Sequence, residues 1–325
     1  MSATIRSIDV ETWPITGEFV ISRGARREAT VVVLALSDGP HRGLGECVPY
    51  PRYGETVAAT IAAIRATGAL DRDHLQQALP ASAARNALDC ALWDLDAKRL
   101  GKSAAELAGL ASLRPVLTCY TLSLAAPEVM AEQAAALPRQ PLFKLKLGAP
   151  QDDQRMRAVR ARRPDARLIA DVNEGWTPDT IGPLLAVAAE CGIELLEQPL
   201  PAADDAILAS IPRPVPVCAD ESAHTRSELA ALRLRYDAVN IKLDKAGGLT
   251  EALAMARQAR RLGFKIMVGS MLATSLSMAP ALIVAQDADW VDLDSPLLLA
   301  RDRVPGLSII DGWIAPPLGL WGSPS

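Results

Sequence analysis

The chain predicts a TIM-like (β/α)7β barrel, class α/β, carrying an α+β capping domain built from its N-terminal part and its C-terminal tail. Three observations lead there. Roughly the first 115 residues run strands first and helices after, an α+β pattern. From Val116 onward, short apolar segments alternate with Ala/Leu/Arg-rich helical stretches, as βαβ units on a parallel sheet do. Eight such segments can be read, the count of a closed barrel, and no helix of normal length follows the eighth. A doubly wound open sheet competes, but no G-x-G-x-x-G follows any strand.

In order along the chain, Thr4–Ile15 alternates loosely. Glu28–Ser37 holds a β-branched run closed by the turn signal Asp38-Gly39-Pro40, and Gly43–Val48 reads as the returning strand. Helical spacing follows over Thr56–Ala69 and Ser82–Leu100. The second has Pro80 before it, Gly101 after it, and Leu88, Leu92, Trp93 and Leu95 on one side. Ser103-Ala-Ala-Glu106 is a capping box. The barrel strands are expected at Val116–Leu122, Phe143–Leu147, Leu168–Val172, Ile193–Glu197, Val215–Ala219, Ala238–Leu243, Phe264–Val268 and Trp290–Leu293. Pro183–Cys191 and Ser227–Arg235 are among the helices between them. The strand-like tail from Gly306 to Leu318 is expected to pack on the first domain, giving domains 1–115 and 116–300 and a returning segment 301–325.

Composition excludes several classes. Lys and Arg number 34 and Asp and Glu 38, interspersed, so no basic stripe supports nucleic-acid binding. The segment Met1-Ser2-Ala3-Thr4-Ile5-Arg6 carries charge where an export signal needs an apolar run, and the most apolar region, Leu276–Ala285, is too short for a bilayer span. The five cysteines are scattered without C-x-x-C spacing, which predicts free, mostly buried thiols in a reducing cytoplasm. His41, His74 and His224 are too few and dispersed for a histidine metal site, so any metal is expected to be hard and oxygen-bound. A small molecule is the expected partner, with no nucleic acid or membrane; homo-oligomers are left open.

Such a barrel builds its active site at the C-terminal ends of its strands. Strand two carries Lys144 and Lys146, which share one face; two adjacent ammonium groups favour loss of a proton from one of them. Strands three, four and five end at Asp171, Glu197 and Asp220, strand six at Lys242, and strand eight carries Asp292 and Asp294. Singly, each has a plain explanation: a K-x-K strand facing water, helix-capping aspartates, a loop glutamate. A closed barrel draws them into one ring. Three neighbouring carboxylates call for a divalent cation between them, and their oxygens suit Mg²⁺. Lys146 and Lys242 would face each other across it. One lysine removes the α-proton of a carboxylate substrate and the other returns a proton to the opposite face, inverting the carbon through an enediolate. Both lysines then need depressed pKa values.

These residues resemble the enolase superfamily, in its muconate-lactonizing-enzyme subgroup, position by position: Lys144, Lys146, Asp171, Glu197, Asp220 and Lys242. Within it the chain is similar to the dipeptide epimerases over nearly its whole length, most visibly at Gly45–Glu55, Ala83–Asp94 and Val239–Thr250. The resemblance implies Mg²⁺-dependent epimerisation of dipeptides of the L-Ala-D/L-Glu type, in the recycling of cell-wall peptides, with Lys146 and Lys242 as bases and Lys144 tuning Lys146. It also implies that Asp292 and Asp294 bind the free α-ammonium of the substrate. Arg26, with Arg23 and Arg27 as neighbouring alternatives, would grip the side-chain carboxylate. Thr121, Lys144 and Ser270 would make further contacts, Ser270 through its backbone where enteric relatives carry Cys. N-acylamino acid racemisation, o-succinylbenzoate synthesis and muconate cycloisomerisation offer no ammonium to the paired aspartates. A non-catalytic barrel binding acidic peptides would not need lysines on both faces.

Overall fold

The computed structural model describes residues 3–68 and 71–324. Ala69, the end of the helix expected from Thr56, lies outside the described residues, as do Met1, Ser2 and Ser325 at the limits of the expected domains.

Strands β1 (Thr4–Ile21), β2 (Gly24–Asp38) and β3 (His41–Cys47) form an antiparallel sheet in that order. β1 runs past the expected Ile15. After a register shift between Pro14 and Phe19 it pairs Phe19 with Arg26 and Ile21 with Gly24, making a hairpin tip. Helices α1 (Val57–Thr67), α2 (Arg72–Ala78), α3 (Ala83–Leu100) and α4 (Ala104–Leu107) follow. The Thr56 and Ser82 hydroxyls cap α1 and α3, Gly101 closes α3 in the left-handed region at φ 60°, and the Ser103/Glu106 box is reciprocal. The short α2 lacks enough turns to show a period, and only its Asp71 cap marks it.

α3 packs Leu88, Leu92 and Leu95 against Val32, Leu34 and Leu36 of β2. β3 crosses it at Gly43 and Gly45, where a Cβ would collide with the carbonyls of Ala91 and Ala87, so only glycine lets the two backbones come so close.

The second part runs β4 (Val116–Leu117), β5 (Tyr120–Leu122), α5 (Pro127–Ala135), β6 (Leu142–Lys146), α6 (Asp152–Arg162), β7 (Arg167–Asp171), α7 (Pro178–Glu190) and β8 (Ile193–Glu197). It continues with β9 (Val217–Ala219), α8 (Leu229–Leu232), β10 (Ala238–Lys242), α9 (Leu243–Ala246), α10 (Leu249–Arg261), β11 (Lys265–Gly269), α11 (Ser275–Ala285), β12 (Trp290–Asp292) and α12 (Ser295–Leu298). Strands β5 to β12 pair in sequence order, all parallel. The ring closes where Cys119 N–H donates to Val291 O and Leu293 N–H to Thr118 Oγ1, both at 2.9 Å. After β12 only the single turn of α12 stands where an eighth helix would be.

Two expectations change. Val116–Leu122 is not one strand, because the backbone N–H groups of Thr118 and Cys119 turn to Gly312 O and Val291 O, leaving β4 outside the barrel. β4 pairs instead with the tail, in the order β13 (Ile309–Ile310), β14 (Trp313–Ile314), β4. The tail therefore meets the barrel's entry strand first. Beyond that, the Trp321 indole donates to Leu44 O and Cys90 O, and Gly322 N–H to Asp94, on the first three-stranded unit. The helix expected over Ser227–Arg235 is a 3-10 turn followed by the one-turn α8.

The period-two rule orders the barrel interior. One residue from each strand position, Cys119, Leu142, Ile169, Leu195, Cys218, Ala238, Met267 and Trp290, forms an apolar cluster that plugs the ring. Two residues further along, on the same inward face, stand Lys144, Asp171, Glu197, Asp220, Asn240, Gly269 and Asp292. The outward face of β6, Phe143 and Leu145, joins the helix layer. Five of the eight strands thus pass from an apolar plug to a charged side chain within one step of the pleat, and β5, β10 and β11 to Thr121, Asn240 and Gly269.

Candidate active site

Register places the charged layer. Lys146 pairs with Asp171 and Asp171 with Glu197 across β6, β7 and β8; Thr121 pairs with Lys144; Lys242 pairs with Gly269 and Gly269 with Asp292. Lys144 is 1 % exposed, so the reading of this K-x-K as a strand facing water does not hold. Its Nζ lies 2.6 Å from both Glu197 Oε2 and Asp292 Oδ2, and 3.2 Å from Asp171 Oδ2. Lys146 Nζ lies 2.6 Å from the same Asp171 oxygen, and Lys242 Nζ 2.8 Å from Asp220 Oδ2. Lys245 adds a bond to Asp220 Oδ1 at 2.5 Å, and Asn240 Nδ2 donates to Glu197 Oε1 at 2.7 Å.

The electrostatics follow from burial and these neighbours. Burial alone would raise the Asp171 and Asp220 carboxyls. Lys146 and Lys144 at the first, and Lys242 and Lys245 at the second, overcome it and hold both below the usual carboxylate range. At Glu197 burial and the Asp171 charge win over Lys144, and its pKa is raised. For Lys242 the expected depression is not found. Burial favours the neutral amine, but Asp220 and Glu197 outweigh it and keep the proton on, above the ordinary lysine value. Lys144 is held the same way by Asp292, Glu197 and Asp171, so carboxylates, not its lysine neighbour, set its charge.

Above this layer one cavity joins both units. Lys146 and Lys242 line it together with Asp220 and Lys144. Thr121, Ser270, Asp292 and Asp294 line it on the side of β5, β11 and β12, and Arg26 lines it from the hairpin tip. Asp171 and Glu197 are not among the lining side chains; they lie buried beneath the lysines. Asp292 and Asp294 are not a matched pair on one strand. Asp292 ends β12 and is held below the usual range by Lys144 and Lys146, against the effect of burial. Asp294 lies beyond the strand and accepts Thr121 N–H at 2.6 Å; burial and the Asp292 charge push its pKa up to about 7.

The three arginines of the hairpin differ. Arg27 pairs with Glu18 and does not line the cavity. Arg23 donates to Asn173 O at 2.7 Å and pairs with Glu221 at 2.8 Å, tying the tip to the ends of β7 and β9. Arg26 has no carboxylate within ion-pair distance among the described residues, and its guanidinium lies 5.1 Å from the Tyr50 ring centroid. Sequence reasoning missed the aromatic and apolar walls: Phe19, Ile21, Tyr50, Tyr53 and Leu298. Their signal was present, since Tyr50 and Tyr53 sit in the Pro-Tyr-Pro-Arg-Tyr-Gly run and Phe19 alternates with Ile21.

The donor set fits a hard cation. Asp171, Glu197 and Asp220 are all buried on neighbouring strand ends, and the one group that meets Glu197 Oε2 is the Lys144 ammonium, at 2.6 Å. The three carboxylates are interleaved with ammonium groups; among the described residues the potential metal donors that lie within 4.8 Å of one another are instead Cys119, Asp292 and Asp294, and Lys144 already neutralises Asp292.

Residues 129–319 match the family described as enolase C-terminal domain-like, and residues 3–109 match the mandelate racemase/muconate lactonizing enzyme N-terminal domain. The chain belongs to the enolase superfamily. Its relatives in the mandelate racemase/muconate lactonizing enzyme group include the L-Ala-D/L-Glu epimerase of Escherichia coli K12, 48 % identical over 93 % of this chain and 96 % of that protein. The N-acetyl-D-glutamate racemase of a Pseudoalteromonas species is 40 % identical over 90 % of this chain and 95 % of its own. An enolase-superfamily protein from Agrobacterium tumefaciens with homology to dipeptide epimerases, solved with sodium and L-Ala-L-Glu, superimposes with a TM-score of 0.97. It is 52 % identical and is matched over 98 % of this chain and 100 % of that one. Both the barrel and its antiparallel cap are the superfamily's architecture.

Proposed function

We propose that the chain is a Mg²⁺-dependent epimerase of dipeptides, L-Ala-D/L-Glu first among them, serving in the cytoplasm in the recycling of cell-wall peptides. One observation carries the reading: Lys146 and Lys242 reach a single cavity from the second and sixth strands of a closed ring of eight, so an α-carbon between them meets a lysine on each face. All five cysteines are free and buried, which accords with a reducing compartment, and among the described residues no helix is long and apolar enough to cross a membrane.

Asp171, Glu197 and Asp220 would hold Mg²⁺, which when bound supplies positive charge beside the substrate carboxylate as the α-carbon loses its proton. Lys146 or Lys242 takes that proton; an enediolate forms; the opposite lysine gives a proton to the other face. Lys242 acts as a base only once Asp220 and Glu197, which hold its proton here, are engaged elsewhere. Arg26, free of carboxylate partners among the described residues, grips the glutamate side chain, while Asp294 and Asp292 receive the α-ammonium. Thr121, Lys144 and the Ser270 backbone complete the contacts. The hairpin tip of residues 1–115 then lends Arg26 to selection, while 116–300 carries the lysines, the carboxylates and the remaining substrate contacts.

A second reading has one observation behind it. Asp292 is already paired with Lys144, which leaves Asp294 alone for an ammonium and weakens the demand for one, as an N-acylated glutamate would require. Incubation in D₂O with Mg²⁺ separates the two. L-Ala-L-Glu is expected to gain deuterium at the glutamate α-carbon and yield L-Ala-D-Glu. Faster exchange of N-acetylglutamate would move the assignment, and no exchange with any dipeptide would end it.

A further inference from the structure

Gln198 follows Glu197 at the end of β8, is fully buried, and holds a left-handed backbone at φ 33° that few non-glycine residues adopt. Its side chain is fully committed. Oε1 accepts the backbone N–H of Asp220 at 2.9 Å and of Ser222 at 3.1 Å. Nε2 serves Leu200 O and the hydroxyls of Ser222 and Tyr236, each at 2.9 Å. Its own N–H donates to Cys218 O, and its carbonyl accepts Glu174 N–H. One side chain therefore joins the strand end carrying Glu197 to the strand end carrying Asp220.

A more distant group fixes the direction of these bonds. Asp205, 1 % exposed, accepts from Tyr236 Oη at 2.7 Å and from Ser222 Oγ at 2.8 Å, and pairs with Arg235. The two hydroxyls also lie 3.1 Å from each other, so their hydrogens are taken up by Asp205 or by one another, and both oxygens face Gln198 as acceptors. That places Nε2 toward them and Oε1 toward the two backbone N–H groups. A carboxylate at 198 would keep the N–H contacts but face two hydroxyl oxygens and a carbonyl with no hydrogen to offer.

We propose that Gln198 is a positioning residue, oriented by Asp205 through Tyr236 and Ser222, that sets the separation of Glu197 and Asp220 and thereby the affinity of the site for Mg²⁺. The proposal rests on the metal site proposed above. Groups that orient ligands without touching the metal typically govern its affinity by about 10–100-fold.

The test is calorimetric titration of the metal-free protein with Mg²⁺ alone. Asp220→Asn, in which a carboxylate of the site itself is changed, is the control. Gln198→Met is expected to weaken binding about 10–100-fold, and Tyr236→Phe and Asp205→Asn by smaller factors. In the latter two, excess Mg²⁺ should restore exchange of L-Ala-L-Glu, a rescue that general loosening of the fold would not give. If Gln198→Met does not fold, the Tyr236→Phe and Asp205→Asn pair decides. Folded variants that bind Mg²⁺ as the unaltered protein does, while Asp220→Asn does not, overturn the proposal and leave the metal site standing. An Asp220→Asn that binds normally removes the metal site, and this proposal with it.

Discussion

The floor and the rim of the cavity are built on opposite physical terms. On the floor every charge is buried and closely paired: Lys144 with Glu197 and Asp292, Lys146 with Asp171, Lys242 with Asp220, all at 2.6–2.8 Å. At the rim, Arg26 is exposed, rests against an aromatic ring and has no carboxylate partner among the described residues. Buried charges cannot lose one partner cheaply, whereas an exposed guanidinium is exchanged at little cost to the fold. The comparison teaches that a group at the rim, held by few partners, can be exchanged with less disturbance than any charge on the floor.

The largest expected effect is on the floor. Lys146→Ala and Lys242→Ala should each lower epimerisation by about 10²–10⁴-fold. Each should still exchange the epimer whose α-hydrogen faces the surviving lysine, read by deuterium incorporation from L-Ala-L-Glu and L-Ala-D-Glu separately. If both variants exchange both substrates, the floor does not hold the two bases. At the rim, Arg26→Ala should cut the preference for Ala-Glu over a neutral dipeptide by about 10–100-fold, the worth of a charge-assisted pair, with the rate on the neutral dipeptide little changed. Unaltered selectivity would shift the role to Arg23.

Between the two regions lies Asp244, two residues beyond Lys242. It accepts Val48 N–H at 3.0 Å, just before the Tyr50 loop, and Asn86 Nδ2 at 2.8 Å. Burial pushes its carboxyl up to about 7. Unfolded, it titrates near about 3.9, so between these values the folded chain holds an extra proton. The stability this contributes is complete below the unfolded value and is lost as pH rises through about 7. Relative to Asp244→Asn, the unaltered chain should therefore lose up to about 1.4 kcal/mol per pH unit in that window, measured by urea unfolding at pH 5, 6 and 7. Smallest, and outside both regions, Ser103→Ala removes the cap of α4 and should cost about 1 kcal/mol without changing exchange rates.

The barrel was legible because its strands end in charges at near-regular intervals and because side chains alternate with period two. That put Lys144 and Lys146 on one face and located the strand ends within a residue or two. The cap at Ser103 was legible because its capping box is local, and so were the starts of the helices at Thr56 and Ser82. Long-range pairing was not. Lys144 finds Asp292 across 148 positions, and no spacing announces that the ammonium–carboxylate contact outweighs its lysine neighbour. The break between β4 and β5 depends on acceptors in the tail and in β12, far away in sequence. The sign of the shift at Lys242 depends on how deeply Asp220 and Glu197 are buried, which an apolar strand pattern does not reveal.

Where the hairpin tip meets the barrel, the loops after β6 and β7 run in contact. A Cβ on Gly175 would stand 2.5 Å from Gly148 Cα, and one on Gly148 would stand 2.7 Å from Ser22 Cβ. Those two loops have no room to lengthen or acquire bulk without lifting the tip that carries Arg26. The pair of glycines thus acts as a seat of fixed height, which sets how closely the Arg26 tip stands over the barrel.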